Sequence, residues 1–426
     1  MCDTVAGELI LCFPRVDIAG SGLIQQLQDG KIEHVKYVDS LDGRLHSMGL
    51  RPDEGFPFEV HLVRVPSGSE TWKTSYLQFF YKLQLFEVLG ERRTSPEFFQ
   101  ALKRSDYQFT VAPNFYLGLA SGPSAPLPVN AATFQFSAVH QTYERLLNRP
   151  YTPPPGMGQV RVLILDTGLA GHAATNLRVA AQKNFVDPAN SQDTTDENGH
   201  GTAVALVIHD VAPTAEMIIY KVADATGRAT EWDTLAALVA DTGAHVINIS
   251  LCFGLQDAQC PHCGRQSMSS RSAVFENVIG QLPQRSIAPL VVAAAGNQAK
   301  GELSFPARFA QVLAISSITS QRELSSFSNY GDIDQVGEKH RKHFAAPGGE
   351  SKAPNQEFIG NYGAGAKGLC GTSYSAAYAS GVVANLWGEQ GVGTPASTIL
   401  GILTRRADRA FPGYDSAKYG NGIVRI

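Results

Sequence analysis

Cysteine is scarce in this chain: six in 426 residues, Cys2, Cys12, Cys252, Cys260, Cys263 and Cys370. Scattered so widely, they exclude the dense disulfide framework of small secreted domains. Charge is sparse as well, at 17% of residues, and 35 Lys+Arg against 39 Asp+Glu leave a net charge of −4. There is no basic excess to hold nucleic acid or an anionic membrane surface, so neither is expected as a partner. Long apolar runs are missing, and none approaches the roughly 18–20 residues that a membrane span needs. The amino terminus, Met1-Cys2-Asp3-Thr4-Val5-Ala6-Gly7-Glu8, has no basic start, and Leu9-Ile10-Leu11-Cys12-Phe13 is too short for a signal core. The chain as given therefore reads as cytoplasmic, or as secreted if a signal has been removed.

What is present is an apolar content of 43%, enough for a sizeable core in two or three domains, or in one large and one small. Cys260-Pro261-His262-Cys263 is an isolated Cys-x-x-Cys pair, and Cys252 lies eight residues before Cys260. Cys252, Cys260, His262 and Cys263 make a weak candidate zinc set. A disulfide or free thiols fit the pattern as well, so no cofactor is expected.

Four segments carry chemistry. Val160-Arg161-Val162-Leu163-Ile164-Leu165 is a β-branched, apolar run that reads as a buried parallel strand ending in Asp166-Thr167-Gly168. A carboxylate there lies where open α/β sheets place their sites. In Asn198-Gly199-His200-Gly201-Thr202 two glycines flank a histidine, which lets backbone approach closely on both sides before a helical apolar run. Leu290-Val291-Val292-Ala293-Ala294-Ala295-Gly296-Asn297 is a second buried strand, ending in an amide able to donate to an oxyanion. Gly371-Thr372-Ser373 opens a small-residue helix, where unpaired N–H groups and the helix dipole favour developing negative charge at Ser373. Singly, each segment is more simply a turn, a tight loop or a helix cap. Together, each at a strand end or helix start, they describe a nucleophile, a base, an orienting acid and an oxyanion donor.

The order Asp166, His200, Asn297, Ser373, with separations of 34 (166 to 200), 97 (200 to 297) and 76 (297 to 373), resembles the subtilisin-like serine proteases, or subtilases. The order of acid, base and nucleophile is subtilisin's own. The resemblance covers about residues 130 to 426. It implies an α/β fold, a doubly wound and mostly parallel sheet with helices on both faces. It also implies an Asp166-His200-Ser373 triad, Asn297 in the oxyanion hole, and a protein or peptide substrate. Val246-Ile247-Asn248-Ile249-Ser250-Leu251-Cys252-Phe253-Gly254 resembles the family strand that pairs with extended substrate, which makes Ser250, Leu251 and Phe253 the expected wall for the residue before the cut bond. The sequence departs from the family at Ala203, at Ala377 and at Phe253. The short passage from Ile208 to Met217 lacks the loop that binds calcium in many members, so no calcium is expected there.

Residues 1–130 lie outside these motifs and are expected to form a smaller α+β domain, with 131–426 as the peptidase domain. Pro57–Val65 has a strand's period, Ser75–Leu85 and Ser95–Leu102 read as helices, and Tyr107–Tyr116 as a strand running into an extended segment. This plan resembles a subtilase propeptide, with cleavage expected between Leu117 and Ala132 and the domain acting as an intramolecular inhibitor. Two other readings stand beside it: a permanent, partner-controlled switch in a signalling or defence module, and a catalytically silent scaffold.

Overall fold

A computed structural model describes residues 4–14, 33–38, 58–64, 110–120, 134–148, 160–174, 177–240, 242–253, 271–334, 336–362 and 368–426. The chain forms two compact units, the first made of Met1–Tyr116, Thr230–Asp241 and Ser272–Arg285, the second of Leu117–Ala229, Thr242–Arg271 and Ser286–Ile426.

In the first unit β1 (Thr4–Pro14), β2 (Glu33–Val38), β3 (Phe58–Arg64) and the first part of β4 (Thr110–Leu119) pair antiparallel, β3 with β1 and β2, and β1 with β4. The expected strand over Pro57–Val65 is β3. Leu9, Ile10, Leu11, Val60, Leu62 and Val63 are buried. The expected helices over Ser75–Leu85 and Ser95–Leu102 lie outside the described residues.

The helices Glu231–Val239 and Ala273–Gln281 belong to this same unit. The Glu231 carboxyl is fully buried and accepts a short hydrogen bond from Ser272 Oγ and another from the Phe115 backbone. Burial pushes it up to about 8, against the opposing pull of those two bonds. Asn114 Oδ1 accepts from Trp232 N at 3.0 Å while its Nδ2 donates to Glu8 Oε2 at 2.9 Å.

The second unit contains β5 (Phe134–Phe136), β6 (Arg161–Asp166), β7 (Val179–Asn184), β8 (Glu216–Lys221), the short β9 (Arg228–Thr230), β10 (Val246–Ile249), β11 (Leu251–Phe253), β12 (Leu290–Ala294), β13 (Leu313–Ile318), β14 (His343–Pro347) and β15 (Gly360–Tyr362). Its main sheet is seven-stranded in the order β14-β13-β12-β10-β6-β8-β7, and every neighbouring pair is parallel. Val162, Leu163, Ile164 and Leu165 of β6 are completely buried, as a strand covered on both faces requires. The chain leaves β6 for β7 and then β8 on one side and returns to β10 on the other. The carboxyl end of β6 is therefore the point where strand order reverses, and a doubly wound sheet opens its crevice there.

The helix Thr372–Gln390 is buried along nearly its whole length, which its alternation of Ala, Ser, Gly and Val permits. It packs on the helix His200–Val211, where a Cβ added at Gly381 would meet Val211 Cβ at 2.6 Å. Asn385 Nδ2 donates to Val211 O at 2.6 Å and satisfies a carbonyl at the end of that helix. Outside the main sheet, Leu117–Leu119 pair antiparallel with β11. Among the described residues no helix is long and apolar enough to cross a membrane.

Candidate active site

Asp166 ends β6 with only 1% of its surface exposed, and its Oδ1 accepts from His200 Nδ1 at 2.7 Å. Thr167 N donates to the same oxygen at 2.8 Å. With Nδ1 carrying the proton, the free lone pair of the imidazole lies on Nε2. Nε2 is buried and has no hydrogen-bond partner among the described residues. An unpaired buried nitrogen costs stability, so its retention points to work done there.

The close backbone approach expected around His200 is present. Gly199 has φ +91°, and a Cβ on Gly201 would meet Gly168 O at 2.5 Å. Gly168 itself, at φ +117°, leaves no room for a side chain, since Thr194 O would stand 2.2 Å from its Cβ.

Asp196, four residues before His200, is a residue the sequence reading missed. It is 1% exposed. Its Oδ1 accepts from Thr167 Oγ1 (2.8 Å), Gly199 N (2.7 Å) and Asn198 N (3.1 Å), and its Oδ2 from Thr202 N (2.8 Å) and Thr202 Oγ1 (2.6 Å). One carboxylate thus gathers the free N–H groups at the start of the His200 helix and ties them to the turn that carries Asp166. The available signal was an aspartate just upstream of a helix start, where capping acids belong.

At the Ser373 side, Asn297 Oδ1 accepts from Thr372 N at 3.0 Å and from Thr372 Oγ1 at 2.9 Å. These two donors fix the amide so that Nδ2 faces away from Thr372, and Nδ2 has no partner among the described residues. Gly296 N donates to Thr372 Oγ1 at 3.1 Å. Ser373 Oγ donates to Ser250 O at 3.2 Å and does not engage His200 Nε2. A buried relay joins Ser380 Oγ to Asn248 Oδ1 (3.0 Å), Asn248 Nδ2 to Ser250 Oγ (2.9 Å), and Ser250 Oγ to Ser373 O (3.2 Å). Tyr374 stands 5.5 Å from the His200 ring between centroids. Burial, then the charges of Tyr362 and Asp166, hold its phenol far above the usual range, so it offers His200 a neutral wall.

Of the expected substrate wall, Ser250 presents its carbonyl to Ala120 N at 3.0 Å. Leu251 pairs with Leu119 and Phe253 with Leu117. Ser373 N donates to Ala120 O at 3.0 Å.

The candidate zinc set is represented by Cys252 alone. Burial pushes its thiol up to about 12, and Sγ donates to Ala294 O at 3.6 Å. Cys260, His262 and Cys263 lie outside the described residues. His140, Glu144 and Asp210 converge closely enough to suit a metal ion, but the His140 ring is already bonded, Nδ1 to Tyr378 OH at 2.6 Å and Nε2 to Asp210 at 3.0 Å. That cluster is complete as a structural one.

The model of the subtilase family matches residues 158–422. The chain is 34% identical over 183 residues to subtilisin Savinase of Lederbergia lenta, covering 40% of this chain and 60% of that protein. It has the same identity over 183 residues to an alkaline protease of Shouchella clausii, covering 40% and 43%. A thermostable alkaline protease of Halalkalibacterium halodurans is 28% identical over 275 residues, covering 62% and 65%. The chain thus spans less than two thirds of the length of these curated relatives. Among solved structures, the epidermin leader peptide processing serine protease of Staphylococcus aureus superposes with a TM-score of 0.62 at 17% identity, over 98% of this chain and 96% of that one. At that identity the likeness speaks for the fold.

Proposed function

This chain belongs to the subtilase family, and on that premise we propose that it is a serine endopeptidase with Asp166, His200 and Ser373 as its triad. The observation that carries the reading is the buried Asp166–His200 bond of 2.7 Å, which leaves His200 Nε2 unpartnered. Ser373 turns from the Ser250 carbonyl toward Nε2, gives up its proton there and attacks the peptide carbonyl carbon. Asp166 holds the imidazole in the required tautomer and stabilises its charged form. Asn297 Nδ2 and Ser373 N receive the oxyanion. The acyl-enzyme forms as the amine leaves with the proton, and water releases the acid. The relatives are named as proteases, which supports a protein or peptide substrate.

Residues 1–130 act in this reading as a propeptide-like or regulatory domain that restrains the peptidase domain, 131–426, from within the same chain. A fluorophosphonate label tests the chemistry. It is expected to modify the wild type and to be lost in Ser373→Ala. A folded wild type that takes no label even after residues 1–130 have been released by limited proteolysis would overturn the enzyme and leave a silent scaffold.

A further inference from the structure

Tyr362 ends β15 within the second unit, and its hydroxyl donates to Gly199 O at 2.5 Å, although the two residues stand 163 apart in the sequence (362 − 199). Gly199 is the residue before His200, and its carbonyl opens the helix that carries the imidazole. Ala203 N already donates to that carbonyl at 3.1 Å. The helix therefore has its first bond without the tyrosine, whose proton takes a second lone pair of the same oxygen.

What the tyrosine restrains is the peptide plane between Gly199 and His200. Gly199 has no Cβ and stands at φ +91°, ψ −11°, so local sterics hold that plane weakly. Tyr362 grips the plane by its oxygen. Asn198 Oδ1 grips it by its nitrogen, accepting from His200 N at 3.3 Å. Asn198 is in turn tied down through Nδ2, which donates to Ala225 O at 3.0 Å. A rotation of this plane would swing the Cα–Cβ bond of His200, carry Nε2 with it and strain the bond from Nδ1 to Asp166.

The ring of Tyr362 is seated too. It is 2% exposed, and Phe134, its partner across the β5–β15 pair, meets it edge-on at 5.4 Å between centroids. Phe134 lies over Gly360, where an added Cβ would come within 2.5 Å of Phe134 Cζ. Burial, then the charge of Asp196, holds the phenol well above its ordinary range, against a weaker opposing pull from Thr202, so the proton is kept for donation.

We infer that Tyr362 is a positioning residue for the reaction: through the Gly199 carbonyl it sets the angle at which His200 presents Nε2 to Ser373, and Phe134 holds Tyr362 to that task. The inference rests on the endopeptidase reading and adds to it a residue outside the four motifs.

Tyr362→Phe removes the hydroxyl alone and tests this in two ways. In the full-length chain, proton NMR reads the proton shared by His200 Nδ1 and Asp166, identified by its loss in His200→Ala. Its resonance is expected to move or broaden in Tyr362→Phe. After the same limited proteolysis of wild type and variant, kcat on a peptide anilide is expected to fall at least about 10-fold with KM nearly unchanged, since a misplacement near 1 Å costs about 100-fold. Phe134→Leu is expected to give a smaller loss of the same kind, and the double variant to lose no more than Tyr362→Phe, because a seat without its hydroxyl has nothing left to aim. Wild-type kcat in Tyr362→Phe, a loss confined to KM, or a loss of kcat with the resonance unmoved overturns the inference. If wild type and variants all take the fluorophosphonate label, the endopeptidase reading stands regardless. A folded wild type that takes no label even after release of residues 1–130 overturns both. Should Tyr362→Phe fail to fold, Phe134→Leu decides by the same two readings. Losses that multiply in the double variant overturn the part assigned to Phe134.

Discussion

Thr372 supplies both donors that orient Asn297: its N and its Oγ1 reach the same amide oxygen at 3.0 and 2.9 Å. The residue before the proposed nucleophile therefore aims the proposed oxyanion donor. In subtilisin, losing the side-chain oxyanion donor outright costs about 100- to 1,000-fold in turnover. Thr372→Val keeps the shape and the backbone donor but frees half of the restraint. It is expected to lower kcat by about 10-fold with KM nearly unchanged, because the donor matters most when charge develops. Steady-state kinetics on one peptide anilide decide it, and a change confined to KM would refute the role.

Asp196 is expected to be needed for both stability and turnover. Asp196→Ala strands the N–H groups of Asn198, Gly199 and Thr202 together with two threonine hydroxyls, all near His200. Leaving buried donors unsatisfied costs on the order of 1–3 kcal/mol each before relaxation. Urea unfolding should show a loss of several kcal/mol, and the folded fraction should turn over more slowly. Unchanged unfolding would show that solvent reaches those donors freely.

Glu231 predicts a pH dependence for the first unit. Its folded carboxyl is raised to about 8 from an ordinary value of 4.5. Between those values the unfolded chain ionises while the folded one keeps its proton, so stability falls as pH rises across that window and levels off above it. The full effect is on the order of a few kcal/mol. Glu231→Gln should flatten the curve, as thermal unfolding followed from pH 4 to 9 would reveal. A wild type and variant with parallel pH curves would mean that the group titrates normally.

Gly348→Ala should disturb the nucleophile's turn from outside it. A Cβ there would stand 2.1 Å from Ser375 Oγ, 2.2 Å from Ser317 Oγ and 2.8 Å from Gly371 O. The two hydroxyls can rotate, but the Gly371 carbonyl belongs to the backbone that leads to Ser373. Overpacking of this kind costs typically about 1–3 kcal/mol. Loss of both stability and kcat is expected, and restoration by an added Ser375→Ala would locate the clash at the hydroxyl instead.

The places of the four motifs were legible because each sits where a buried strand ends or a helix begins, and periodicity marks such places. Buried parallel strands were legible in the β-branched, apolar runs, and their doubly wound arrangement through the family resemblance. Asp196 and Thr372 were not, because what they do is accept from or donate to groups distant in sequence, and no local pattern records a partner. No local pattern marks Glu231 as buried; tertiary packing alone makes it so. The register of Leu117–Ala120 on β11 is set by pairing between segments more than 130 residues apart (251 − 119 = 132) and has no signature of its own.

Gly381 gives the second unit a lever. The helix that carries Ser373 meets the helix that carries His200 at a point with no side chain, eight residues beyond the nucleophile (381 − 373). At a rise of 1.5 Å per residue that arm is about 12 Å long. A tilt of roughly 5° at the contact would carry Ser373 about 1 Å, enough to cost on the order of 100-fold in rate. The tolerance of the reaction is therefore set at a fulcrum remote from it, and a single methyl group at 381 would act as a wedge.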